Sequence, residues 1–135
     1  MASSQITLVD SHPDARESLI RVLELDGYRI RSFSDAWSAW SELQREPSDL
    51  VIVDLDLPGI DGLELGALLR QRHGADLPLL AISCARGETL VRDVRSAGFD
   101  EFLFKPYPPA DLTDCLRRYL AKRPGVGDST RRRAG

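Results

Sequence analysis

Four polar side chains stand where short apolar runs break off: Asp10 after ITLV, Asp54 after LVIV, Ser83 after LLAI and Lys105 after EFLF. If those runs lie side by side and point the same way, two carboxylates, a hydroxyl and an ammonium share one rim. Asp56, two residues beyond Asp54, brings a side chain or a carbonyl to the same crevice. This set suits phosphoryl chemistry. Carboxylates and a backbone carbonyl hold Mg²⁺, which takes oxygen ligands and keeps several of its waters. A carboxylate also serves as a nucleophile and becomes an acyl phosphate. An ammonium and a hydroxyl then neutralise and hydrogen-bond the phosphoryl oxygens. Lys105 stands out by composition, since the chain has sixteen arginines and one other lysine, Lys122. A compact point charge before Pro106, in a chain that otherwise uses arginine, reads as chemistry rather than as surface charge.

The elements that must position these residues follow from periodicity. Strands are predicted over residues 6–9, 29–33, 50–54, 79–83 and 101–104. LVIVD and LLAIS are almost continuously apolar, as strands covered on both faces are. Helical spacing fills the gaps. Ala15, Leu19, Val22 and Leu23 recur in the first helix, with Pro13 in its first turn and Gly27 closing it. The second is expected to open on Ser34 as N-cap and to run to about Glu46, before Pro47. The third carries Leu63, Ala67 and Leu68 and ends near Gly74; the fourth carries Leu90, Val91 and Val94 and stops at Gly98. The fifth follows Pro108-Pro109 with Leu112, Leu116, Tyr119 and Leu120 on one side. Five β–α units in series predict an α/β fold, a doubly wound parallel five-stranded sheet with helices on both faces. Ligands of such sheets sit outside the carboxyl ends of the strands, at the switch point. The four polar residues end strands there.

Composition sets the outer limits. With 135 residues, 42% hydrophobic and 29% charged, the chain reads as one globular domain over residues 1–122. No apolar run approaches the roughly 20 residues of a membrane span, and MASSQITLVD lacks the basic start and apolar stretch of a signal peptide. Cys84 and Cys115 make no disulfide framework, so a cytoplasmic setting without membrane contact is expected. The formal charge of −3 divides unevenly: residues 121–135 hold five basic residues and Asp128, which leaves −7 on the first 120. An acidic body excludes a broad basic face, so no nucleic acid is expected on this domain. Residues 123–135 read as a flexible basic tail or linker stub, with Arg131 to Arg133 as a solvated charge run.

LVDSHPDAR, LVIVDLDLPGIDGLEL, LLAIS and DEFLFKPY, in that order, resemble the receiver domain of two-component response regulators over residues 5–120. The resemblance implies the flavodoxin-like (βα)5 fold and no enzyme activity of its own. It implies that Asp54 accepts a phosphoryl group from a histidine kinase or phosphotransfer protein, that Lys105 contacts that group and that Ser83 swings toward it. Phe102 matches the aromatic switch whose rotamer follows the hydroxyl. Phosphorylation would thereby alter the face built by the fourth helix, fifth strand and fifth helix, read by a downstream protein, a fused output domain or a homodimer partner. Mg²⁺ is the implied cofactor, held by Asp10, Asp54 and the Asp56 carbonyl.

The departure is Ser11, where family members usually carry a second acid that coordinates Mg²⁺ directly. Losing that carboxylate removes a negative charge and an oxygen ligand, so Mg²⁺ affinity is predicted to fall. Ser11 can hold a coordinated water, and His12 contributes at most a weak ligand, because imidazole suits a hard cation poorly. A phosphorylation-independent pseudoreceiver is therefore the alternative, which the retained Asp54, Ser83 and Lys105 oppose. Asp54-Leu55-Asp56 with a later lysine also looks like the haloacid-dehalogenase phosphatases. Their motif lies on the first strand, however, and the chain is too short for their substrate-sealing cap. About fifteen residues follow the fifth helix, too few for a helix-turn-helix, so a stand-alone receiver or one excised from a longer regulator is expected. His12 and His73 read as ordinary surface residues and Cys84 as a small buried filler. Trp40 joins the stripe of Ala36 and Leu43, whereas Trp37 falls off it and is a candidate interface anchor.

Overall fold

A computed structural model of the chain describes residues 4–56 and 61–121. Strands β1 (Gln5–Val9), β2 (Arg29–Phe33), β3 (Leu50–Asp54), β4 (Leu79–Ser83) and β5 (Glu101–Phe104) alternate with helices α1 (Pro13–Leu25), α2 (Ala36–Arg45), α3 (Gly62–His73), α4 (Glu88–Ala97) and α5 (Pro109–Ala121). All strand pairs are parallel, in the order β2-β1-β3-β4-β5. This is the flavodoxin-like α/β arrangement. After β2 the chain crosses back over β1 to lay down β3, so the winding direction reverses between β1 and β3. Their carboxyl ends, Asp10 and Asp54, flank that switch point.

The strand residues alternate between two cores, as the twofold period of a strand requires. Val51 and Val53 of β3 join Val9, Ala81, Leu65 and Leu69 on the face covered by α2, α3 and α4. Leu50 and Ile52 join Ile6, Leu8, Leu112 and Leu116 on the face covered by α1 and α5. Every residue of β3 and β4 is buried. At about 1.5–3 kcal/mol per buried large aliphatic side chain, these strands dominate cohesion.

Several local expectations are corrected. β1 begins at Gln5, one residue early, because Gln5 already pairs with Arg29. Asp35, not Ser34, caps α2: its carboxylate accepts Ser38 N–H at 2.7 Å and the Ser38 hydroxyl at 2.9 Å, a charge-assisted cap that a lone serine cannot match. On α1 the inward stripe is Leu23 with half-buried Leu19 and Ile20, while Ala15 and Val22 lie on exposed positions. Trp40 packs half-buried against the α2–α4 core, and Trp37 is 57% exposed. His73 is half-buried rather than superficial, and burial, with Arg72 beside it, pushes its pKa down. The proposed tail lies outside the described residues. Among the described residues, no helix is long and apolar enough to cross a membrane.

The amino-terminal edge of the sheet is closed by polar staples. Arg70 of α3 donates to the carbonyls of Gly98, Gly74 and Leu77 and to Asp100 Oδ2 at 2.8 Å. Asp100 Oδ2 also accepts Leu79 N–H at 2.9 Å. Gly98 ends α4 in the left-handed region at φ 103°, where a side chain would be strained and would strike the Arg70 stem.

Candidate functional site

At the opposite edge, Asp10 directly follows β1 and Asp54 ends β3, and they are 5% and 2% exposed. Asp54 is reached by three neighbours. Its Oδ2 accepts Lys105 Nζ at 2.8 Å, its Oδ1 accepts Asp56 N–H at 2.8 Å, and His12 Nδ1 lies 3.8 Å from Oδ2. Asp10 Oδ1 accepts His12 N–H at 2.9 Å and stands 3.3 Å from His12 Nδ1. Arg16, one turn into α1, donates to the Asp10 carbonyl at 2.8 Å and ties the end of β1 to the helix. Arg16 is within the LVDSHPDAR segment, but nothing in its spacing marks it as a support of the site.

Lys105 is brought in by β5, whose last hydrogen bonds to β4 include Lys105 N–H to the Ser83 carbonyl at 2.9 Å. Burial of the ammonium works to lower its pKa. The hydrogen bond to Asp54 and the charges of Asp54 and Asp10 outweigh that, so the net shift is upward. Lys105 therefore stays charged across the whole physiological range. Asp10, Asp54 and Lys105 also line a largely apolar cavity of about 360 Å³ with Leu8, Leu19, Ile52 and Leu112. Such walls keep the local dielectric low and strengthen each charged contact. Tyr107 lines the same cavity, and burial pushes its phenol up.

The remaining predicted positions lie around this centre. Ser83 is buried at the end of β4, and its hydroxyl accepts Ala85 N–H at 3.0 Å. Ser11 is half-buried and Asp56 exposed. Phe102, half-buried on β5, packs against the α2–α4 core, with its ring 4.6 Å from that of Phe104. Arg86 lies over the outer ring, 4.7 Å from the Phe104 centroid. Cys84 is exposed, not a buried filler, because β4 ends at Ser83 and the chain leaves the sheet at the next residue. His12 has a place that its spacing did not show. It is exposed, as a surface residue is, but the turn from β1 into α1 also sets its ring against both carboxylates.

A family model described as the response regulator receiver domain matches residues 6–117. The chain belongs to that family. The transcriptional activator protein ExaE of Pseudomonas putida is 40% identical over 121 residues, which cover 86% of this chain and 55% of that protein. The C4-dicarboxylate transport transcriptional regulatory protein DctD of Pseudomonas aeruginosa is 35% identical over 124 residues, 90% of this chain and 26% of that protein. The chain thus spans about half of one relative and about a quarter of the other. A crystal structure of a LuxR-family two-component response regulator from Aurantimonas sp. SI85-9A1 superposes with a TM-score of 0.82 at 31% identity, covering 90% of this chain and 88% of that one.

Receiver domains bind Mg²⁺ at an acidic pocket, and this receiver's donor set fits a divalent cation. One ligand atom each from Asp10, His12 and Asp54 lies within 4.8 Å of the others. Two buried carboxylates against one lysine leave a negative charge uncompensated by the neighbouring ammonium. What a receiver with Ser11 lacks is the second carboxylate after β1; beside the remaining pair stands the imidazole of His12, 3.3 Å from Asp10 Oδ1 and 3.8 Å from Asp54 Oδ2.

Proposed function

We propose that this receiver domain accepts a phosphoryl group on Asp54 from the phosphohistidine of a kinase or phosphotransfer protein. One Asp54 oxygen forms the new P–O bond as the P–N bond to the donor imidazole breaks, and the imidazole leaves with that electron pair. The observation that carries the reading is the 2.8 Å contact of Lys105 Nζ with the buried Asp54 carboxylate, which sets a permanent cation beside the reacting oxygens. Asp10, Asp54 and the Asp56 carbonyl are the groups proposed to hold Mg²⁺, which would supply charge neutralisation of the phosphoryl oxygens. Ser83, one strand away, is proposed to turn its hydroxyl from Ala85 N–H to the new phosphate. Phe102 follows into the vacated space and alters the face of α4, β5 and α5. That face is then read by a downstream protein or a fused output domain.

Ser11 favours a second reading, a pseudoreceiver that binds its partner without phosphorylation. Trp37, exposed on α2, is proposed as an interface anchor under either reading. Intact mass after incubation with Mg²⁺ and acetyl phosphate separates the two. One added phosphoryl group, absent from Asp54→Ala, is expected for a working receiver. A native chain that stays unmodified while Ser11→Asp takes up phosphate would establish the pseudoreceiver.

A further inference from the structure

The receiver reading leaves His12 without a role, yet its ring, although exposed, lies against both buried carboxylates. His12 occupies the N-cap position of α1, but its side chain makes no capping hydrogen bond. Its backbone N–H is bound to Asp10 Oδ1, which holds the residue against the carboxylate, and Nδ1 stands 3.3 Å from Asp10 Oδ1 and 3.8 Å from Asp54 Oδ2. Donors bound at about 2.0–2.1 Å to a tetrahedral cation are separated by roughly 3.3–3.4 Å. The first gap already matches that edge, the second is a few tenths of an ångström longer, and all three donor atoms lie within 4.8 Å of one another, so the two carboxylates would draw together around a bound cation. The His12 side chain is 60% exposed while both acids are buried, so a cation can enter past the imidazole from solvent.

We infer that His12 is a third metal ligand of this receiver, and that it turns the site's preference away from Mg²⁺ toward first-row transition cations that favour imidazole, such as Co²⁺ and Zn²⁺. Mg²⁺ demands hard oxygens and dehydrates reluctantly, so the serine at position 11 weakens it. An imidazole does not replace the missing carboxylate for Mg²⁺, but it is a good ligand for the later divalent metals. Lys105 does not block the site. It holds Asp54 Oδ2 from one side, and an ionised carboxylate oxygen has a second lone pair for a cation.

The inference rests on Asp10 and Asp54 forming the receiver's acidic pocket, and its test needs no phosphodonor. The untagged full chain is titrated calorimetrically with Mg²⁺ and, separately, with Co²⁺, whose visible absorption reports nitrogen ligation. Every transition metal outcompetes Mg²⁺ to some degree, so the informative quantity is how the ratio of affinities changes. In His12→Ala the Co²⁺ affinity is expected to fall by at least about tenfold, the loss typical of disturbing even a supporting residue of a metal site. Mg²⁺ affinity should hold, and the Co²⁺ absorption should change. His12→Asn, which keeps a polar side chain of similar size, should do the same if the alanine variant folds poorly. His73→Gln should leave both titrations as they were. An unchanged ratio of affinities in His12→Ala and His12→Asn overturns the inference. Phosphoryl uptake with Mg²⁺ alone, together with an unchanged Co²⁺ titration, would sink this inference and leave the receiver reading intact. A His12-dependent Co²⁺ signal in a chain that takes up no phosphate would do the reverse.

Discussion

The two edges of the sheet use the same residue types to opposite ends. At the amino edge, Arg70 reaches three backbone carbonyls and Asp100, and Asp100 in turn holds the N–H of Leu79. Asp49 and Ser48 likewise secure Gln5 at the start of β1. Each group there closes a turn or a strand start, so its hydrogen-bonding capacity is spent on the chain itself. At the carboxyl edge, Asp10 and Asp54 are buried with one lysine and an imidazole between them and water. Two buried carboxylates so placed repel each other and gain most when a further cation or an electrophile arrives. The contrast separates polar groups that hold a fold from polar groups held by one.

That contrast can be broken or sharpened by substitution. The largest expected effect is functional. Asp54→Asn should abolish phosphoryl uptake in the intact-mass assay while the melting temperature holds or rises, because relieving like charge at a functional site commonly stabilises. A large drop in melting temperature would show instead that Asp54 is a structural staple. At the other edge, Arg70→Ala should lose about 2–4 kcal/mol in chemical denaturation, because it leaves the part-buried carbonyls of Gly98 and Leu77 without their donor and removes the cation beside Asp100. Phosphoryl uptake should persist in that variant at temperatures where it stays folded.

A smaller loss tests the packing between the edges. A Cβ at Gly66 of α3 would strike the ring of Phe99, so Gly66→Ala should lose about 1–3 kcal/mol unless the ring yields. A double variant with Phe99→Leu should recover part of it. The smallest effect is on pH dependence, and it has one contributor at each edge. Lys105 is shifted up at the carboxyl edge; Tyr119 is pushed up to about 12 at the amino edge by burial and its hydrogen bond to Glu101. The folded state holds both protons more tightly than the unfolded chain. Their stabilisation is therefore complete below the ordinary values, about 10 for tyrosine and 10.4 for lysine, and is lost as pH rises through the folded ones. Urea midpoints should fall across that alkaline range, and the fall should be shallower in Tyr119→Phe and in Lys105→Met.

The strands were readable because LVIVD and LLAIS are buried on both faces, and no solvent-facing residue interrupts the pattern. Glycines and prolines marked most helix ends for the same local reason. Asp54 and Lys105 were legible because each directly follows an apolar run. Side-chain competition was not legible. Ser34 and Asp35 both suit an N-cap, and only the path of the chain from β2 decides which carboxylate or hydroxyl meets Ser38 N–H. Cys84 follows a buried strand, and its exposure depends on where the chain turns away.

By itself, the sequence determined the order of β and α segments, hence the parallel sheet, the switch point and the polar residues that must end its strands. Local propensity and burial period act over neighbouring residues, and the linear chain records them. Tertiary structure alone decided which distant groups meet. Lys105 and Asp54 are 51 residues apart and touch at 2.8 Å because β3 and β5 flank β4. The ring of His12 meets Asp54 because β1 and β3 are neighbours. Such encounters depend on strand order and on the angle at which a helix leaves its strand, neither of which is encoded in the spacing of the residues concerned.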